Sequence, residues 1–235
     1  SGLVLGALSV YEDAPELASK IISRALSNVS SGLRMYAPDG AYPEGPGYWA
    51  YGTSYSVMMM AALESVFGSD FDLSNTPGFL RSADYILHAV GPSGLFFNYS
   101  DSGSKPGIRP ELYWFAQKAE RPELIWWNER NLQQLIEGKL SVLGDDRLLP
   151  LLLIWHEAKK ADAQPSELSW TGGGENPVAF HRSSWKDPKA SFVGLKGGSP
   201  GASHGHMDVG QFVMESDGVR WAVDLGTQPY HELET

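Results

Sequence analysis

Apolar residues recur at helical spacing through the first two-thirds of the chain. Leu17, Ile21, Ile22, Ala25, Leu26 and Val29 fall on one helix face, and Asp13 with Glu16 forms the capping-box pattern that would start it. A second stripe, Tyr55, Met58, Met59, Ala62, Leu63 and Val66, predicts a helix capped by Thr53. Pro77 suits the first turn of a third, followed by Phe79, Leu80, Ala83, Leu87 and Val90. Asp146 can cap a fourth through Leu148, Leu151, Leu152 and Trp155. Between the stripes, residues 36–52 and 91–110 are rich in Gly, Pro and aromatics. They read as long loops, which in compact domains often carry function.

Near Trp170 the texture changes. Residues 171–174 read as a linker or turn, and short strand-like runs follow at 178–183, 190–196, 211–216 and 219–225. The chain thus divides into a helical part, 1–168, and a β part, 169–235. Asp217-Gly218 is a two-residue hairpin signal. Pairing about it sets Glu215 opposite Arg220, Met214 opposite Trp221 and Phe212 opposite Val223, giving one apolar face and leaving Asp224 on the more polar one. Strict alternation would put His206 on the apolar face. Gly205 or Gly210 must therefore permit a bulge or loop if His206 is to meet Asp224.

At 235 residues, 42% of them hydrophobic, the chain can bury a sizeable core in one or two domains. A formal net charge of -10 argues against nucleic acid as the main partner, and a polyanionic substrate would need a local basic patch. Cysteine is absent, which excludes disulfides, thiolate catalysis and Cys-ligated zinc. The longest apolar tract, 57–63, falls far short of the roughly 20 residues of a membrane span. The start is small and apolar, with no initiator Met and no basic region, so it does not read as an intact signal peptide. Both ends read as cut from a longer protein. No pattern indicates an oligomeric state.

The chemistry concentrates in Ser203-His204-Gly205-His206-Met207-Asp208 and in Asp224. Imidazole transfers protons near neutral pH and ligates zinc-like metals. Two surface histidines in a polar loop are the bland reading. A metal reading needs a third ligand, for which Asp208, Asp224 and His231 are candidates. His-x-His-x-Asp also opens the zinc signature of metallo-β-lactamase-like hydrolases, although Val209 stands where that signature has another His. Tyr51 and Tyr55 follow a Gly/Pro/aromatic stretch with Tyr48 and Trp49, similar to the sugar-stacking rims of carbohydrate enzymes. Arg109, Arg182, Asn98, Tyr99, Tyr113 and Trp114 are structural unless the site places them. Glu44, Asp101 and Glu111 are the carboxylates from which a glycosidase pair would come.

Several segments match one pattern together. Asp39-Gly40-Ala41-Tyr42-Pro43-Glu44-Gly45, Tyr51-Gly52-Thr53-Ser54-Tyr55, Phe97-Asn98-Tyr99-Ser100-Asp101-Ser102, His181-Arg182-Ser183-Ser184-Trp185, the His204–Asp208 run and Trp221-Ala222-Val223-Asp224-Leu225-Gly226 resemble the heparinase II/III-like polysaccharide lyases. The resemblance implies an α+β multidomain protein, an (α/α) toroid followed by an antiparallel β-sandwich, with the cleft between them. It implies β-elimination on an acidic, uronate-containing polysaccharide such as a glycosaminoglycan or an alginate-like polymer. Tyr55 matches the proton-transferring tyrosine and His204 the histidine that shares that work. His206 and Asp224 match two ligands of a structural zinc, and Tyr51, Trp49, Asn98 and Arg182 stand where substrate would bind. The carboxylate-neutralising residue would precede Ser1, and a third zinc ligand would follow Thr235, as in a central fragment. The family also implies a periplasmic or secreted bacterial protein. A metal-dependent hydrolase using His204, His206 and Asp208, or a glycan-binding module without catalysis, are the alternatives.

Overall fold

The computed structural model describes residues 1–140, 147–157, 163–201 and 206–227. Helices come first: α1 (Gly2–Ser9), α2 (Pro15–Leu33), α3 (Gly45–Phe67), α4 (Ser82–His88), α5 (Glu111–Lys118), α6 (Trp126–Ile136) and α7 (Leu152–Trp155). Five strands follow: β1 (Ser169–Gly172), β2 (Val178–Arg182), β3 (Phe192–Lys196), β4 (Phe212–Ser216) and β5 (Val219–Ala222). They form one antiparallel sheet in sequence order, β1-β2-β3-β4-β5. The described residues are therefore α+β, helices followed by sheet. None of their helices is long and apolar enough to cross a membrane.

The helix starts correct several expectations. α2 begins at Pro15 after Ala14, and no side chain caps it. Pro15 has φ pre-set for a first turn, so the Asp13 cap is dispensable. Thr53 caps nothing. It lies inside α3, buried, with its Oγ1 2.7 Å from the Tyr36 hydroxyl. α3 starts at Gly45 with Pro46 in its first turn, and Trp49, Ala50, Thr53 and Val57 extend the buried stripe at helical spacing. Much of the expected 36–52 loop is thus helix, and Tyr55 sits in mid-helix. Pro77 lies in a turn ahead of the short α4, where Gly78 at φ 83 lies against the Tyr36 carbonyl too closely for any Cβ. Asp146 lies outside the described residues. The 149–155 stretch is a short 3₁₀ turn running into α7.

The sheet packs its inner face on the helices. Val178, Phe180 and Arg182 of β2, Phe192 and Lys196 of β3, and Val213 and Glu215 of β4 alternate inward and are buried. Phe180 and Phe192 stack there, and the core continues through Phe97, Tyr99 and Tyr85 to Phe79, Phe115 and Trp49. Gly194 of β3 leaves room for Phe97, to which an added Cβ would come within 2.8 Å.

The hairpin forms about Asp217-Gly218 with Glu215 opposite Arg220, as its turn chemistry predicts. A bulge then shifts the register, so that Met214 pairs with Ala222 instead of Trp221. β5 ends at Ala222, so Phe212 and Val223 do not pair. The faces are also reversed. Phe212, Met214, Val193 and Leu195 are exposed, with Trp221 63% exposed, while Glu215 points inward. The reason is what the helical side presents to the sheet. The turn after α4 brings backbone groups, which need partners. Glu215 accepts from Ser93 N and Ser93 Oγ, both at 2.8 Å. Arg220 Nη2 donates to Phe96 O at 2.6 Å, and Arg182 Nη2 donates to His88 O and Val90 O at 3.0 and 2.7 Å.

Candidate active site at the junction of helices and sheet

The first half of α3 carries Tyr48, Tyr51 and Tyr55. The Tyr51 and Tyr55 rings meet edge to face, with centroids 5.3 Å apart. Tyr51 is 61% exposed, Tyr55 is half-buried, and the Arg147 guanidinium stands 5.9 Å from the Tyr55 ring.

The loop after Phe97 folds onto the start of this helix. Gly47 N donates to Ser102 Oγ at 3.0 Å, and a Cβ on Gly47 would lie 3.3 Å from Asp101 O. Ser100, fully buried, turns the loop at φ 54. Asn98 is buried, and Tyr99 donates its hydroxyl to Tyr42 O at 2.6 Å while meeting the Tyr85 hydroxyl. Burial raises both Tyr85 and Tyr99 well above the ordinary phenol range, so both stay neutral. They are structural pins.

From the sheet side comes the loop between β3 and β4. His206 Nε2 lies 3.0 Å from Asp101 Oδ1, joining the two halves. Two residues on, Asp208 pairs with Lys196 Nζ, and Lys196 is itself buried beside the Tyr99 ring. Gly210 N donates to Lys196 O, and Lys196 N to Gln211 O, both at 2.9 Å. Beyond β5, Gly226 N donates to Asp224 Oδ1 at 2.7 Å, and a Cβ on Gly226 would lie 3.9 Å from Asn98 Nδ2.

Asn98, Asp101, His206 and the Asp224 turn therefore meet at one junction. Tyr51 and Tyr55 stand on α3, one and two turns beyond the Gly47 that touches the Asp101 loop. Two residues expected at the substrate are buried. Trp49 is 0% exposed and packs 6.1 Å from Phe115. Arg182 is 1% exposed, its guanidinium 3.6 Å from the Trp185 ring centre. Neither reaches the surface, since helical spacing turns Trp49 inward with Thr53, and strand alternation turns Arg182 inward with Phe180. Glu111 is likewise buried, and burial raises its carboxyl pKa. His204 and His231 lie outside the described residues. What the sequence did not reveal is the contact from Asp101 to His206 and the anchoring of Asp208 by Lys196. The length of the 91–110 loop, the Phe97–Ser102 motif and the Asp101 carboxylate hinted that this loop mattered.

The zinc implied by the motifs can be tested against these atoms. Asp224 Oδ2 is buried without a hydrogen-bond partner, and the positive charge that interacts with this carboxylate is Arg220. His206 holds Asp101 through Nε2, which leaves Nδ1 as its other ligating atom. No three His, Asp or Glu side chains converge among the described residues. The described residues therefore do not assemble a zinc site.

This arrangement defines a class: an α+β protein with a tyrosine-lined helix and a His/Asp/Asn cluster where helices meet an antiparallel sheet. Residues 181–235 match the family described as heparinase II/III-like, C-terminal. That match begins at the end of β2 and includes His206 and Asp224, so this part of the chain is similar to the family whose motifs the sequence resembles. No curated protein matches the chain in sequence. Solved structures match its fold along nearly its whole length. Heparan sulfate lyase HepC from Pedobacter heparinus is 16% identical with TM-score 0.64, over 99% of this chain and 33% of that one. A mutant of it is 14% identical with TM-score 0.68, over 98% and 33%. A heparinase III gives 15% and 0.58, over 98% and 34%. The chain spans about a third of the length of these structures.

Proposed function

We propose that this chain carries the active site of a polysaccharide lyase that cleaves an acidic, uronate-containing glycan by β-elimination. The observation that carries this reading is the junction itself. The segment matching the heparinase II/III-like family delivers His206 and Asp224 to the loop and helix that hold Asn98, Asp101, Tyr51 and Tyr55.

In this reaction the C5–H bond of the uronate breaks, its electron pair forms the C4–C5 double bond, and the C4–O bond to the leaving sugar breaks. The leaving oxygen takes a proton. Tyr55, half-buried yet next to exposed Tyr51, is the proton-transfer group, and His204 shares that role. Tyr51 offers an apolar ring to the sugar, and Asn98 a polar side chain beside the cluster. Charge grows on the uronate carboxylate as the proton leaves, and it needs a positive or hydrogen-bonding neighbour. The structural neighbours are heparan sulfate lyases, which favours a glycosaminoglycan over an alginate-like polymer.

The architecture extends the same reading. Residues 1–168 belong to an (α/α) toroid and 169–235 open a β-sandwich. The exposed apolar row Val193, Leu195, Phe212, Met214 and Trp221 supports a second β-layer over this sheet. His206 and the orphaned Asp224 Oδ2 hold a structural zinc with ligands from outside the described residues. The family resemblance adds a periplasmic or secreted location to this reading.

The decisive experiment treats a panel of uronate polymers with the full-length protein and follows ultraviolet absorbance and new reducing ends together. A lyase raises both, because elimination leaves a conjugated, unsaturated uronate. New reducing ends without absorbance identify the metal-dependent hydrolase. Retained binding with neither signal identifies a glycan-binding module.

A further inference from the structure

The chain between β3 and β4 leaves the sheet at Lys196 and returns at Gln211. Gly210 N donates to Lys196 O and Lys196 N to Gln211 O, both at 2.9 Å, which closes the excursion at its base. Gly197, Gly198, Gly201, Gly205 and Gly210 fall within it, so its backbone has much freedom to lose on ordering. Apolar burial does not offset that loss at the returning end, where Met207 is 88% exposed and Val209 51%. Polar side chains hold this end instead. Among the described residues, His206 reaches Asp101, and Asp208 pairs with Lys196 Nζ. Lys196 is the deeper anchor. Its side chain is 2% exposed, on the inward face of β3 that also carries buried Phe192. An ammonium is almost never buried so fully unless it is paired. Its Nζ also stands 5.9 Å from the centre of the Tyr99 ring, in the loop that carries Asn98 and Asp101. Lys196 thus bears on both loops that meet in the His206–Asp101 contact.

We propose that Lys196 is a positioning residue for the reaction. Through Asp208 it fixes the excursion that contains His204 and His206 against the Asp101 loop. Its own side chain is buried and touches no substrate. Losing it therefore acts on turnover through histidine placement and leaves exposed Tyr51 free to meet the sugar. The link to turnover rests on the lyase reading above, whereas the anchoring of the loop does not.

The test uses the full-length protein, with heparan sulfate as substrate. Hydrogen exchange read by mass spectrometry reports on residues 206–211, with β2 as the internal reference. Lys196→Met keeps the length of the side chain and removes its charge. It should speed exchange at 206–211 at least about 10-fold while β2 is unchanged. It should lower kcat about 10- to 100-fold with KM nearly constant, because a displaced proton-transfer group is missed in the transition state and not in binding. Asp208→Ala alone strands the buried ammonium and should also lower the melting temperature. The double variant Lys196→Met/Asp208→Ala has no stranded charge. Its melting temperature should return toward wild type while its fast exchange and low kcat persist, which a merely structural role would not produce. Asp208→Glu, which keeps the carboxylate, should recover part of both. Unchanged exchange in Lys196→Met, a rise in KM that accounts for the whole loss of activity, or a double variant whose kcat recovers with its melting temperature each overturns the assignment. Wild-type protein that yields no unsaturated product fails the lyase reading and with it the link to turnover, while exchange at 206–211 still decides the anchor.

Discussion

Acid should unfold this protein through His88. The residue ends α4 with its ring in the core, 5.2 Å from the Trp185 ring and 6.5 Å from Trp170. Its Nδ1 has no hydrogen-bond partner. Burial first, then the nearby Arg182 and Arg121 charges, lower its pKa from 6.5 to about 3. The folded value lies below the unfolded one. Between those two values the unfolded chain takes up a proton that the folded chain refuses, so stability falls as pH falls. Above the unfolded value the residue is neutral in both states and contributes no slope. The full span, 6.5 minus about 3, corresponds at about 1.36 kcal/mol per unit to an upper figure of about 5 kcal/mol. That is comparable with the whole stability of a small domain, about 5–15 kcal/mol. The assay is urea unfolding from about pH 7.5 to about pH 4.5 on wild type and His88→Gln, which cannot charge. The difference between the two removes what every other titrating group contributes. Wild type should lose stability relative to the variant by up to about 1.4 kcal/mol per pH unit below about pH 6. Parallel pH profiles for the two proteins would refute the reasoning.

Three further outcomes follow from the same coordinates. Arg182→Ala removes the donor to His88 O and Val90 O and the stack on Trp185, leaving two carbonyls unpaired, so thermal or urea unfolding should show a loss of about 3–5 kcal/mol. A loss under about 1 kcal/mol would mean that the sheet does not depend on this clamp. Gly194→Ala drives a Cβ to within 2.8 Å of Phe97 and should cost about 1–3 kcal/mol, whereas a silent substitution would show that Phe97 moves freely. Tyr55→Phe in the full-length protein should lose at least about 10²-fold in turnover while keeping its melting temperature, and near-normal turnover would shift attention to Tyr51.

Periodicity gave the order of events along the chain because it depends on local geometry. The apolar stripes at a period of 3.6 and the alternating runs after Trp170 placed the helices before the strands. Asp217-Gly218 set the hairpin, and the Glu215–Arg220 pair followed from that turn alone. The cluster of motifs was legible for the same reason, since chemistry-bearing residue types sit close together in sequence.

Other features required the third dimension. Whether a polar residue caps a helix or lies inside it depends on what packs there, and Thr53 went inward because Tyr36 offers it a hydroxyl. Which face of β4 is buried was not decided by hydrophobicity, because the helical side presents Ser93 and Phe96 backbone that only Glu215 and Arg220 satisfy. Arg182 looks like a substrate contact in sequence, but its place in the sheet makes it a core residue that pairs with carbonyls. The meeting of Asp101 with His206, 105 residues apart, has no local signal at all. The sequence by itself determined the elements, their order and the residues able to do chemistry, since each follows from neighbours along the chain. Only the tertiary structure decided which of those residues meet, because that depends on competition among distant partners for burial and for hydrogen bonds.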